Sequence, residues 1–151
     1  MADIVISKDL IALNIDSDNK EEAIKILADK LREKDLVKDG YCENVLRREE
    51  NFPTGLPTII PIALCHTEAE FVNASALAVG TLVNPIAFKE MGSPDKDVMA
   101  EIIFLLALND PKDQVPWLMK MITVFKSKET LEQIKNSTDE EELEILLTSI
   151  F

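Results

Sequence analysis

The stretch that most limits the fold is the uninterrupted apolar run from Ile102 to Leu108. It is far shorter than the ~20 residues a membrane-spanning helix needs. With no polar alternation, neither of its faces is suited to water, and the segment Glu101 to Leu108 reads as a central strand covered on both sides. Two more strand-like runs lie upstream, Ile59 to Cys65 and Ala74 to Val83, with Ile86-Ala87-Phe88 as a short extra one. Ile4-Val5-Ile6 and Leu10 to Leu13 read as short extended pieces near the N-terminus.

Helical patterns flank these strands. From Lys20 to about Lys34, Ala23, Ile24, Leu27, Ala28 and Leu31 recur at the spacing of one buried face, and Asp18-Asn19-Lys20-Glu21 resembles a capping box. After Gly40, a shorter helix is expected from Tyr41 to about Glu49, with Val45 and Leu46 inward. Phe52-Pro53-Thr54-Gly55-Leu56-Pro57 is a turn cluster, because two prolines and a glycine cannot continue a helix. Gly92-Ser93-Pro94-Asp95 is expected to be a surface turn.

Asp110-Pro111 opens a helix, with Asp110 as cap. Pro116 then requires either a start nearer Asp113 or a kink. Thr138-Asp139-Glu140-Glu141 is a second capping box, ahead of Leu143, Leu146, Leu147 and Ile150 on one face. Helices before, strands between and helices after predict an α/β chain whose sheet is covered on both faces, with residues 1–151 forming one domain.

Charge excludes several partners. A net charge of −12 leaves no basic stripe for nucleic acid and none for an anionic membrane surface. Met1-Ala2-Asp3 begins with an acid and no basic stretch, so no secretory leader is expected and the cytoplasm is the expected compartment. Cys42 and Cys65 make neither a disulfide framework nor a metal-ligand spacing. No metal or cofactor is expected, and the four glycines form no phosphate-cradling loop.

The single histidine, His66, ends the apolar run at Cys65, where a buried strand reaches the surface and sites collect. It reads equally as a nucleophile near its ordinary pKa of ~6.5 or as a structural imidazole. Arg47-Arg48, beside Glu49-Glu50, is either a helix-end cation with a surface ion pair or a guanidinium for a phosphate. Thr54-Gly55 offers a hydroxyl and a bare N–H to an anion, or is a plain turn. Cys65 has no second histidine to deprotonate it and reads as a small buried hydrophobe.

In combination, "KEEAIKILADKL", "YCENVLRREE", "FPTGL" and "IIPIALCH" resemble the enzyme IIA domains of the fructose–mannitol class of the bacterial phosphoenolpyruvate-dependent sugar phosphotransferase system. "REENFPTG" and "FLLALNDP" look most like its galactitol-specific branch. The resemblance implies a three-layer α/β/α sandwich with a mixed central sheet. It also implies that His66 carries the phosphoryl group, that Arg48 steadies it, and that Thr54 lies in the same neighbourhood.

Two departures stand out. Cys65 replaces a proline before the active histidine. Lys112 stands near the position of a second histidine in mannitol-type members, and is expected there as a point charge for the phosphate. The implied relay runs from the carrier protein HPr to His66, then to a cysteine of a IIB partner, with a IIC membrane partner moving galactitol or a related polyol or sugar. A regulatory protein of the same fold is the alternative. The whole reading expects an imidazole open to solvent within reach of a guanidinium.

Overall fold

In a computed structural model, residues 3–151 are described. Residues 1 and 2, which carry part of the N-terminal reading, lie outside them. Five strands form one mixed sheet: β1 (Ile11–Ile15), β2 (Gly55–Leu56), β3 (Ile62–His66), β4 (Ala76–Glu90) and β5 (Ser93–Ala107). β4 runs parallel to β1 and antiparallel to β5, and β5 runs parallel to β3 with Ile62 opposite Ile102 and His66 opposite Leu106. β2 pairs antiparallel with β3 and meets the far end of β4 at Glu90.

The expected double cover is present. α1 (Lys20–Glu33) and α2 (Tyr41–Asn51) pack on one face. α3 (Gln114–Val124), α4 (Lys128–Lys135) and α5 (Glu140–Ile150) cover the other. Alternation along β3 sends Ala63 and Cys65 to the first core and Ile62 and Leu64 to the second. The apolar run of β5 divides in the same way, Ile103 and Leu105 against Phe104 and Leu106.

Some expected boundaries move. Asn19, not Asp18, caps α1, accepting from Glu22 N, and Asp139 caps α5, accepting from Glu141 N. Asp110 caps a short 3₁₀ turn, Pro111–Asp113, and α3 begins at Gln114, so Pro116 falls in its first turn, where its missing N–H costs no helical bond. The Ile59–Cys65 strand begins only at Ile62 and runs through His66. Of Ile4-Val5-Ile6 only an isolated bridge remains, Val5 beside Ala76.

The largest correction is the hairpin. β4 and β5 continue well past the expected Val83 and Glu101, and the reversal is made by Met91 and Gly92 (φ 79°), with Ser93-Pro94-Asp95 inside a strand rather than in a turn. The arm folds back onto β2, where Met91 N donates to Gly55 O at 2.8 Å. Gly55 makes that closure possible. A Cβ there would lie 2.7 Å from the Lys89 carbonyl oxygen and 3.0 Å from Val98 Cβ. Gly55→Ala is expected to cost about 1–3 kcal/mol, because backbone must move to admit the methyl group. Urea unfolding reads this directly; a midpoint equal to wild type would show that the closure does not matter.

Candidate functional site

Two elements meet around His66. α2 follows Gly40, whose φ of 90° suits glycine. Its inward stripe is Tyr41, Val45 and Glu49, four residues apart, and Asn44 and Arg48 share the adjacent face. The Tyr41 hydroxyl donates to the Leu106 carbonyl at 3.1 Å, tying the start of the helix to the strand position opposite His66. The second element is the end of β3 with Thr67 and Glu68 beyond it.

His66 is 7% exposed, so the imidazole is not the open one expected. Burial draws its pKa below the usual histidine value; the Leu64 carbonyl opposes this, Arg48 adds to the lowering and Glu68 opposes it. The ring is therefore neutral at pH 7. Nδ1 lies 3.0 Å from the Leu64 carbonyl oxygen. Since a carbonyl can only accept, Nδ1 carries the hydrogen and the lone pair sits on Nε2.

Arg48 acts on this ring through its charge. Its Nη1 donates to Glu68 Oε1 at 3.1 Å, its guanidinium stands 5.3 Å from the Phe52 ring centroid, and its Nε is buried without a partner. Asn44 Nδ2 donates to both Thr67 Oγ1 and Glu68 Oε2, and the Thr67 hydroxyl donates to Glu68 Oε2 at 2.6 Å. The expected surface pairing of Arg48 with its sequence neighbours is thus replaced by a cross-chain pair with Glu68.

Glu49, read as a surface residue, is only 4% exposed and accepts from Thr54 N (3.0 Å) and Thr54 Oγ1 (2.6 Å). Burial raises its carboxyl pKa, against the pull of those hydrogen bonds. Thr54, a candidate phosphate contact, is 2% exposed, with its hydroxyl committed to Glu49 and 3.7 Å from Cys65 Sγ. Its carbonyl accepts from Leu64 N, next to the group that orients the imidazole. Gly55 gives its space to the hairpin arm. Cys65 is fully buried, and burial with the nearby Glu49 charge pushes its thiol well above the usual range, so it holds no thiolate.

Lys112 is exposed on the 3₁₀ turn after β5, its backbone N–H bonded to Asp110 Oδ1. Arg48 and Glu68 act electrostatically on His66, Thr54 is bonded to Glu49, and Lys112 follows β5, whose Leu106 lies opposite His66. Asn44, Thr67 and Glu68 were not singled out from the sequence, having no local pattern of their own. Glu49 did have one, since it continues the inward stripe of Tyr41 and Val45.

Residues 4–149 match the model of the family described as phosphoenolpyruvate-dependent sugar phosphotransferase system, EIIA 2. The chain belongs to that family. Among relatives of this EIIA domain, the galactitol-specific EIIA component of Escherichia coli (strain K12) is 26% identical over 101 residues, 66% of this chain and 67% of the relative. The mannitol enzyme IIA of E. coli, solved in complex with phosphorylated mannitol enzyme IIB, superimposes with a TM-score of 0.78 at 22% identity, over 97% of this chain and 99% of that one. The nitrogen regulatory protein IIA-Ntr of Neisseria meningitidis superimposes with a TM-score of 0.69 at 21% identity, over 93% and 94%. At such identities the structural likeness is one of fold, the three-layer mixed sheet of EIIA domains. Among the described residues no helix is long and apolar enough to cross a membrane.

Proposed function

We propose that this EIIA domain is a phosphoryl carrier. His66 Nε2 accepts the group from phosphorylated HPr and passes it to a cysteine of a IIB partner, feeding uptake of galactitol or a related polyol through a IIC transporter. The observation that carries this reading is the His66 tautomer. Hydrogen-bonding Nδ1 to the Leu64 carbonyl leaves a neutral ring with its nucleophilic pair on Nε2, and the Arg48 charge acts on that ring.

Phosphoryl transfer asks the protein for position and positive charge more than for covalent chemistry. The imidazole supplies the nucleophile. Arg48 supplies the charge, and its Nε is a buried donor with no hydrogen-bond partner. The galactitol assignment rests on "REENFPTG" and "FLLALNDP" together with the galactitol-specific relative.

The test is incubation with phosphoenolpyruvate, enzyme I and HPr, then addition of a IIB protein. The expected result is one phosphoryl group per chain, stable to base and labile to acid, which then moves to the IIB cysteine. Because the folded-state pKa of His66 is lowered, charging is expected to fall off at a lower pH than for an ordinary imidazole, as the ring takes up a proton. A protein that never gains phosphate would end the proposal. One that charges but passes nothing to a panel of IIB proteins would be a regulator of the same fold.

A further inference from the structure

Glu68 lies two residues beyond His66, its charge acts on the imidazole, and its carboxylate holds the same Arg48 that would steady a phosphoryl group. Three donors converge on its carboxylate: Arg48 Nη1 on Oε1, and Asn44 Nδ2 and the Thr67 hydroxyl on Oε2. These hydrogen bonds, that from Thr67 first, hold its carboxyl down at about 2, so it is ionised at any pH the protein meets. The guanidinium it grips is only partly satisfied, since Arg48 Nε is buried and bonded to nothing. A guanidinium fork, an amide N–H and a hydroxyl form a donor set better matched to the three oxygens of a phosphate than to the two of a carboxylate.

We propose that Glu68 is a built-in placeholder for phosphate. Its carboxylate occupies Arg48, Asn44 and Thr67 while His66 is unmodified and yields them when Nε2 is phosphorylated. The inference rests on the reading of His66 as the phosphoryl acceptor. In the charging step the Nε2–P bond forms as the N–P bond of the donor breaks. The donor nitrogen leaves with its electron pair, no proton moves, and Nδ1–H stays on the Leu64 carbonyl.

The incoming negative charge competes with Glu68 for the same donors. The Glu68 side chain is half exposed, so water can receive the carboxylate when the phosphoryl group takes its donors. Two effects follow. Uncharged protein does not collect free phosphate, because its guanidinium is taken. Once charged, the protein carries a carboxylate that favours discharge, because re-forming the Glu68 contacts rewards loss of the phosphoryl group.

The full chain carrying Glu68→Gln tests this with two readouts. Inorganic phosphate titrated against unphosphorylated protein, followed at the Arg48 Nε–H signal by NMR, is expected to bind about three- to tenfold more tightly to the variant, the effect of one removed surface charge at close range. The phosphoryl equilibrium with HPr is expected to move toward phospho-His66 by a similar factor. A Glu68 that served only stability would lower the melting temperature and change neither readout. Equal phosphate affinity in variant and wild type overturns the placeholder, even where wild type charges normally on His66. Wild type that never charges defeats the carrier reading instead, and the phosphate titration still decides whether Glu68 fills the anion position.

Discussion

His66→Gln is expected to abolish phosphoryl acceptance, lowering the rate by more than about 10⁴-fold, to background. Glutamine nearly matches the volume of the imidazole, and its amide N–H can still donate to the Leu64 carbonyl, so stability is expected to change by less than about 1.5 kcal/mol. The loss is therefore chemical. The chain has no other histidine to take over the phosphoryl group. Cys65 does not substitute, because burial keeps its thiol protonated. The measurement is the intact mass of folded variant after incubation with the phosphoenolpyruvate chain. A variant that still gains an acid-labile phosphoryl group would place the chemistry elsewhere.

Arg48→Ala is expected to slow transfer both onto and off His66 by about 10²–10³-fold, the usual loss when one preorganised positive donor is removed from developing negative charge. Arg48→Lys should fall between, since lysine keeps the charge and loses the fork. Stability should hardly follow. The pair with Glu68 is half in water and worth about 0–1 kcal/mol, and removing the guanidinium also removes a buried donor that has no partner. A large kinetic loss beside a near-constant melting temperature separates a phosphate-binding arginine from a helix-end cation. Rates within threefold of wild type would return Arg48 to the second role.

The parts of this molecule that were readable along the chain are those whose cause is local. Ile102 to Leu108 carries its double burial in its own composition, and the apolar period of Ala23 to Leu31 marks the buried face of α1. The outer half of the hairpin has no such signature. Apart from Ile86-Ala87-Phe88, read as a short strand, it includes Asn84, Pro85, Pro94 and a cluster of charged residues, with Gly92-Ser93-Pro94-Asp95 read as a turn. It is a strand only because two mostly exposed strands pair with each other and then with β2, and proline is tolerated where no ladder N–H is called for.

The same division runs through the site. His66 is legible as a candidate, alone at the end of an apolar strand, but only the family resemblance makes it the phosphoryl residue and picks Arg48 from the pair Arg47-Arg48. The roles of Thr54, Glu49 and Glu68 depend on contacts across the fold. The Thr54 hydroxyl is claimed by Glu49, five residues back but across a turn, and the Glu68 carboxylate by side chains 20 and 24 positions earlier. No motif spacing records those encounters.

On the carrier reading proposed above, the near-complete covering of His66 bears on how the protein keeps what it holds. A phosphoramidate at the surface meets bulk solvent continuously and leaks its group to a water molecule that happens to line up. An imidazole set into the fold, with one edge fastened to its own strand, leaves little room for that approach. Discharge then waits for a protein whose own nucleophile is brought to the rim by docking. Loss of the group to solvent becomes rare between encounters, and the timing of each handover is set by partner arrival instead of by hydrolysis.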